Sequence, residues 1–279
     1  MASETISELK DFAYLGNLRN RIKELKNICL EENWGENNQI LFNYLNHTFK
    51  KIYSDYSSAD DIERQKFISI TADNEGHAVF NTGLFTKLLE PVYAFFEKNK
   101  NKEQQDWYLA GFKTESDTAL NVFKQLPERA QYFNNVGDLI YDYRIDIRPN
   151  VSHILAEEEN INRLPNEFQK LSPVKLSQHL TGAIEVAKKK VAANYKLAVP
   201  QYYKDSIQLL VPLSLSTTSE MPDLALAIKK ENGFYQARTC LTMSMAYNNA
   251  RLIVKPEVDW LQIDDSQQSV ATVEADVQN

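Results

Sequence analysis

The sequence predicts an α+β fold: a helical N-terminal part packed on a largely antiparallel sheet, with one long helix near residues 173–193. Three observations carry that prediction. Apolar residues recur every three or four positions through the first fifty residues. Short β-branched and aromatic runs bounded by turn residues come next. Ser172-Pro173 then opens a second long stretch of helical periodicity, with Ser at the N-cap and Pro at the first helical position.

Ile6, Leu9, Phe12, Leu15, Leu18, Ile22, Leu25 and Ile28 form the first helical stripe, and Leu41, Tyr44, Leu45, Thr48, Phe49 and Ile52 the second. Glu31 to Gly35 separates them, and the helical part spans residues 1–56. Phe67 to Thr71 and His77 to Thr82 surround the polar cluster Asp73-Asn74-Glu75-Gly76, which reads as a hairpin. Val92 to Phe96 and Trp107 to Phe112 extend the sheet. So does Leu139 to Ile147, where Tyr141, Tyr143, Ile145 and Ile147 alternate with Asp142, Arg144 and Asp146. Leu176, Leu180, Ala183, Ile184, Ala187 and Val191 share one face of the long helix. Gln208 to Val211 is a short strand that Pro212 stops or places at an edge. Leu224 to Ile228 and Phe234 to Leu241 form the clearest hairpin, because Asn232-Gly233 tolerates the positive φ of a tight turn. A short helix follows, over Leu241 to Ile253. No repeat or linker divides the chain, so a single domain is expected over 1–262, with an acidic, disordered tail at 263–279.

Composition narrows the function classes. The 279 residues carry a net charge of −7, 43% hydrophobic residues and only two cysteines, Cys29 and Cys240. That excludes a disulfide scaffold and a four-cysteine zinc site, and it fits a cytoplasmic protein. No apolar run approaches the roughly 20 residues a membrane helix needs. The eight glycines admit neither G-x-G-x-x-G nor a Walker A loop, and HExxH, GxSxG and CxxC are absent. No cofactor or metal site is expected; His47, His77, His153 and His179 are scattered, and Asp142 and Asp146 point to an ion pair with Arg144 before a divalent cation.

Two segments carry chemistry. Arg163 to Lys204 holds eight basic residues against Glu167 and Glu185, inside an acidic protein. Ammonium groups there can meet phosphates while Tyr195 and Tyr202 offer stacking surfaces; the plainer use of Lys188 to Lys190 is the solvated side of a helix. On the short helix, Ser244, Tyr247, Asn248 and Arg251 share one face, a hydroxyl, a phenol, an amide and a guanidinium suited to a phosphate and a base edge. Asn249 falls on the apolar face and is read as tying down a backbone segment.

Several motifs together resemble a known family. Phe80-Asn81-Thr82-Gly83-Leu84, Leu126-Pro127-Glu128-Arg129-Ala130 with Tyr132-Phe133, Asn194-Tyr195-Lys196 with Val199-Pro200-Gln201-Tyr202, Leu209 to Leu215, Asp223 to Leu226, and Met245 to Arg251 ending at Asp259-Trp260-Leu261 are similar to the family catalogued as domain of unknown function 3825. The resemblance runs from about Trp34 to Leu261. Some members are joined to cold-shock or LOTUS-type modules, which bind RNA, so the resemblance implies RNA-linked work without assigning a reaction. No such added module is read in this chain.

The expected function is therefore binding of RNA or a nucleotide, with Arg163, Asn194, Tyr195, Lys196, Gln201, Tyr202, Ser244, Tyr247, Asn248 and Arg251 lining a basic, tyrosine-containing site. One alternative is a hydrolase or transferase acting on a phosphorylated nucleotide or RNA end, with His77 or Asp223 in proton transfer. The other is a protein–protein interaction module.

Overall fold

The computed structural model describes residues 6, 8–71, 76–101, 104–216 and 221–263. The class is α+β, with two mixed five-stranded sheets rather than one, and the chain divides into two compact units, residues 1–131 and 132–279. The boundary falls at Gln131/Tyr132, where no Pro-, Gly- or Ser-rich linker marks it, so composition carries no sign of the division.

In the first unit, helices α1 (Leu9–Phe12), α2 (Leu18–Ile28) and α3 (Gln39–Ser58) accompany strands β1 (Ala13–Tyr14), β2 (Ser69–Ile70), β3 (His77–Phe85), β4 (Pro91–Lys98) and β5 (Trp107–Thr114). Sheet order is β1-β5-β4-β3-β2, antiparallel except for β1 beside β5. The stripe Leu41, Tyr44, Leu45, Thr48, Phe49 and Ile52 is the buried face of α3, as its spacing requires. Phe49 meets Phe12 at 5.2 Å and Phe80 at 5.5 Å between ring centroids, which fastens helix to sheet. The predicted turn residues Asp73 to Glu75 lie outside the described residues; β2 and β3 on either side pair antiparallel, Ser69 opposite Val79.

Asn81-Thr82-Gly83 forms a bulge inside β3, where pairing with β4 shifts between Asn81 and Leu84. Its polar groups are consumed locally. Asn81 Oδ1 accepts from the Gly83 N–H at 2.9 Å and its Nδ2 donates to the Pro127 carbonyl at 3.3 Å, while the Thr82 hydroxyl donates to the Val92 carbonyl at 2.6 Å. Gly83 has φ +74°, and a Cβ there would sit 2.6 Å from the Tyr44 hydroxyl, so both conformation and space demand glycine.

The second unit contains α4 (Val151–Ala156), α5 (Glu158–Asn162), α6 (Asn166–Gln169), α7 (Pro173–Ala193) and α8 (Met243–Arg251), with strands β6 (Ile147–Pro149), β7 (Val199–Tyr203), β8 (Ser206–Leu213), β9 (Leu224–Lys230) and β10 (Tyr235–Leu241). Sheet order is β6-β10-β9-β8-β7, antiparallel except for β6 beside β10. Leu176, Leu180, Ile184, Ala187 and Val191 of α7 share a core with Leu209, Val211, Leu213, Leu224, Leu226 and Ile228, each fully buried Leu, Ile or Val side chain contributing about 1.5–3 kcal/mol. Ser172 occupies the N-cap in extended conformation, but its side chain makes no cap bond; Pro173 at the first position remains the start signal. The β9–β10 hairpin turns at Asn232-Gly233, with Gly233 at φ +83°.

Two strand expectations are corrected here. Leu139 to Ile147 is not a strand: residues 136–139 form a 3₁₀ turn, and Asp142 folds back to take Arg144, so extended backbone resumes only at Ile147. Pro212 lies in an interior strand, paired with Ala225 of β9. It is tolerated because β7 covers β8 only up to Leu210, leaving no strand on that side of Pro212. Of the acidic tail, residues 264–279 lie outside the described residues.

Candidate nucleic-acid interface

Cross-strand partners share a face, and neighbours along a strand alternate, so register alone sorts the second sheet. Leu209 and Ile228 pair and belong to the α7 core; Gln208 and Lys229 next to them therefore face the opposite way. Arg148 pairs with Gln236, Gln236 with Lys229, and Gln208 with Gln201. Arg148, Gln236, Lys229, Gln208 and Gln201 thus form one transverse row over all five strands, four inter-strand spacings or about 19 Å long. Arg148 and Lys229 are exposed and have no carboxylate at ion-pair distance among the described residues. The Arg148 guanidinium lies 4.4 Å from the centre of the Phe234 ring, which the alternation puts on the same face. Tyr203 follows from β7, with the Lys204 ammonium 5.3 Å from its ring centre, against Glu231 as the carboxylate at that end.

Helix α8 packs on this face. Thr242 caps it by accepting the Met245 N–H, and Ala246, Tyr247 and Ala250 are buried. Asn249 Nδ2 donates to Gln201 Oε1 at 3.0 Å, and Gln201 Nε2 donates to Gln208 Oε1 at 3.1 Å. Asn249 therefore ties α8 to a side-chain amide of β7, where a backbone partner was expected. Gln201 is 1% exposed and spends both ends of its amide internally.

The two predicted segments do come together, since α8 sits on β7. Several of their residues are corrected. Tyr247, read as part of the polar face of α8, is 4% exposed, because the buried stripe of the helix is rotated one position from the one expected. Tyr202 is on the opposite sheet face, its ring edge-on to Tyr132 at 4.8 Å and its hydroxyl donating to Asp205 at 2.8 Å. Arg163 closes a strand edge: β6 pairs with β10 only to Ala237, and beyond it Arg163 Nη1 donates to the Cys240 carbonyl at 3.1 Å and to Asn160 Oδ1 at 3.1 Å. Buried Asn160 accepts the Cys240 N–H at 3.3 Å, completing the plug. Asn194 accepts the Lys196 N–H as the cap of a 3₁₀ turn over residues 195–197. Tyr195, Lys196 and Ser244 are exposed, and Asn248 and Arg251 half-buried.

Asp223 takes the Leu215 and Ser216 N–H groups at 2.7 and 2.9 Å, a bracket at the exit of β8. His77 begins β3 in the first unit, stacked on Phe95 at 5.4 Å. Neither stands beside a nucleophile in these contacts. Asp142 pairs with Arg144, and Asp146 with Lys188. Among the described residues no group of three His, Cys, Asp or Glu is placed to hold a metal ion, and no helix is long and apolar enough to cross a membrane.

Sequence reasoning missed Arg148, Lys229, Gln208 and Gln236. A signal existed for one pair: a two-residue Asn232-Gly233 turn sets 231 opposite 234 and hence Lys229 opposite Gln236. The rest of the row depends on pairings between strands far apart in the chain.

No curated protein and no solved structure matches the chain. The family model described as domain of unknown function (DUF3825) matches residues 25–260, most of the length, and the chain belongs to that family.

Proposed function

We propose that the second unit binds single-stranded RNA, or a nucleotide offering the same phosphate and base, across the open end of its sheet opposite α7. The observation that supports this reading is the register-aligned row Arg148–Gln236–Lys229, with two cations that have no acidic partner among the described residues and the Phe234 and Tyr203 rings beside them. Cations meet phosphates, rings accept stacked bases, and the Gln236 amide oxygen accepts from a base edge while its nitrogen donates to the Arg148 carbonyl at 2.9 Å. Residues 132–263, which contain the sheet, hold fifteen Lys and Arg against fourteen Asp and Glu and are near neutral, while Asp264, Asp265, Glu274 and Asp276 bring the whole unit to −3.

Fluorescence anisotropy with a labelled single-stranded RNA of mixed sequence at low salt tests it. Arg148→Gln and Lys229→Gln should each weaken binding about 3- to 10-fold and reduce the salt slope by about 0.7. Lys196→Ala and Arg251→Ala belong in the same panel, as the cations of the two segments joined at α8 and β7. No binding at low salt, or binding indifferent to both Arg148→Gln and Lys229→Gln, overturns the proposal.

A further inference from the structure

The α7 side of the same sheet carries a cleft of ≈ 380 Å³, bordered by residues 132–138, the β7–β8 turn and the adjoining ends of β8, β9 and β10. Leu209 and Ile228 beneath it are buried, so its apolar surface is Ile207 with the Tyr132 and Phe133 walls; Asp138 and Asp205 stand exposed at its mouth. One chain of contacts fixes a wall and a charge together. Tyr202 holds Asp205 through its hydroxyl at 2.8 Å and packs edge-on against the Tyr132 ring at 4.8 Å. The β7–β8 turn that presents Asp205 is itself strained, since Lys204 and Asp205 adopt φ of 46° and 55° without glycine.

We propose that this cleft binds a small organic cation with an apolar body, an alkyl- or arylalkylammonium group. Aromatic faces attract a cation through the ring quadrupole, and the two carboxylates complete its shell, whereas a phosphate at the same mouth would meet like charge. Lys230 also lines the cleft, so its charged side chains, Asp138, Asp205 and Lys230, sum to −1. Ile207 and the two rings then take the body of the guest. This site is on the opposite sheet face from the RNA row and does not depend on it.

Calorimetric titration of the full chain with phenethylammonium, 2-phenylethanol and phenylacetate separates charge from shape. The cation should bind at least about 10-fold more tightly than either isostere. Asp138→Asn and Asp205→Asn should each cut its affinity about 3- to 10-fold while leaving phenylethanol unchanged; Tyr132→Leu should weaken all three ligands. A peptide bearing trimethyl-lysine, compared with free tetramethylammonium, identifies the source: tighter binding of the peptide assigns a protein side chain, tighter binding of the free ion a small amine. Failure of every amine to bind, equal affinity for cation and neutral isostere, or indifference to both carboxylate substitutions overturns the proposal.

Discussion

Asp142 shows how one side chain can break an alternating pattern. Its carboxylate accepts Arg144 Nε at 2.8 Å, Nη2 at 2.7 Å and the Arg144 N–H at 3.1 Å, a closed loop that is incompatible with the extended strand its neighbours suggested. The Arg144 side-chain hydrogen bond, then the backbone one, hold the Asp142 pKa down from 3.8 to about 2. A carboxyl whose folded value lies below its unfolded value binds fewer protons when folded, so its stabilisation is complete above about pH 4 and lost as pH falls through about 2. Urea unfolding of wild type and Asp142→Asn should therefore differ at pH 5–7 and converge as pH is lowered toward 2. A difference that persists unchanged at pH 2 would show that the pair does not act through this charge. Cys240 illustrates the opposite case, its thiol pushed up to about 12 by burial in the α7 core, which makes it a packing group rather than a nucleophile.

Among the elements, those set by local chemistry were legible and those set by distant pairing were not. Helix α7 was readable at both ends because Pro173 starts it and its apolar stripe has one period; the β9–β10 hairpin was readable because Asn232-Gly233 fixes its turn. The rotation of α8 was not, since Ala246, Tyr247 and Ala250 face a sheet that no local spacing describes. Arg163 likewise looked like a free cation until β6 proved too short to cover β10. Helix α7 also supports a prediction. Gly182 lies mid-helix, and a Cβ there meets nothing within 4 Å. An alanine loses less backbone freedom on folding, so Gly182→Ala should stabilise the protein by about 0.5–1 kcal/mol, read as a shift in the urea midpoint at constant slope. A destabilised variant would mean that this open surface is used by something that a methyl group displaces.

At the level of the whole molecule, each unit carries its own sheet and core. All strands of the first sheet come from residues 13–114 and all strands of the second from 147–241, so no strand is shared. Residues 1–131 and 132–279 are each within the size at which a single hydrophobic core sustains a fold. The sequence concealed this because the charge and apolar content run smoothly through Gln131, and only the pairing of strands separates the two. The second unit holds every residue of the proposed RNA row: Arg148 from β6, Gln236 from β10 and Lys229 from β9. Residues 132–263 expressed alone should therefore give a cooperative unfolding transition and bind single-stranded RNA within about 3-fold of the full chain. Circular dichroism melts and anisotropy on the same preparation check both halves of that statement. A fragment that folds cooperatively but fails to bind, beside a full chain that binds, would move the RNA site out of the second sheet, because every group of the row is retained in the fragment.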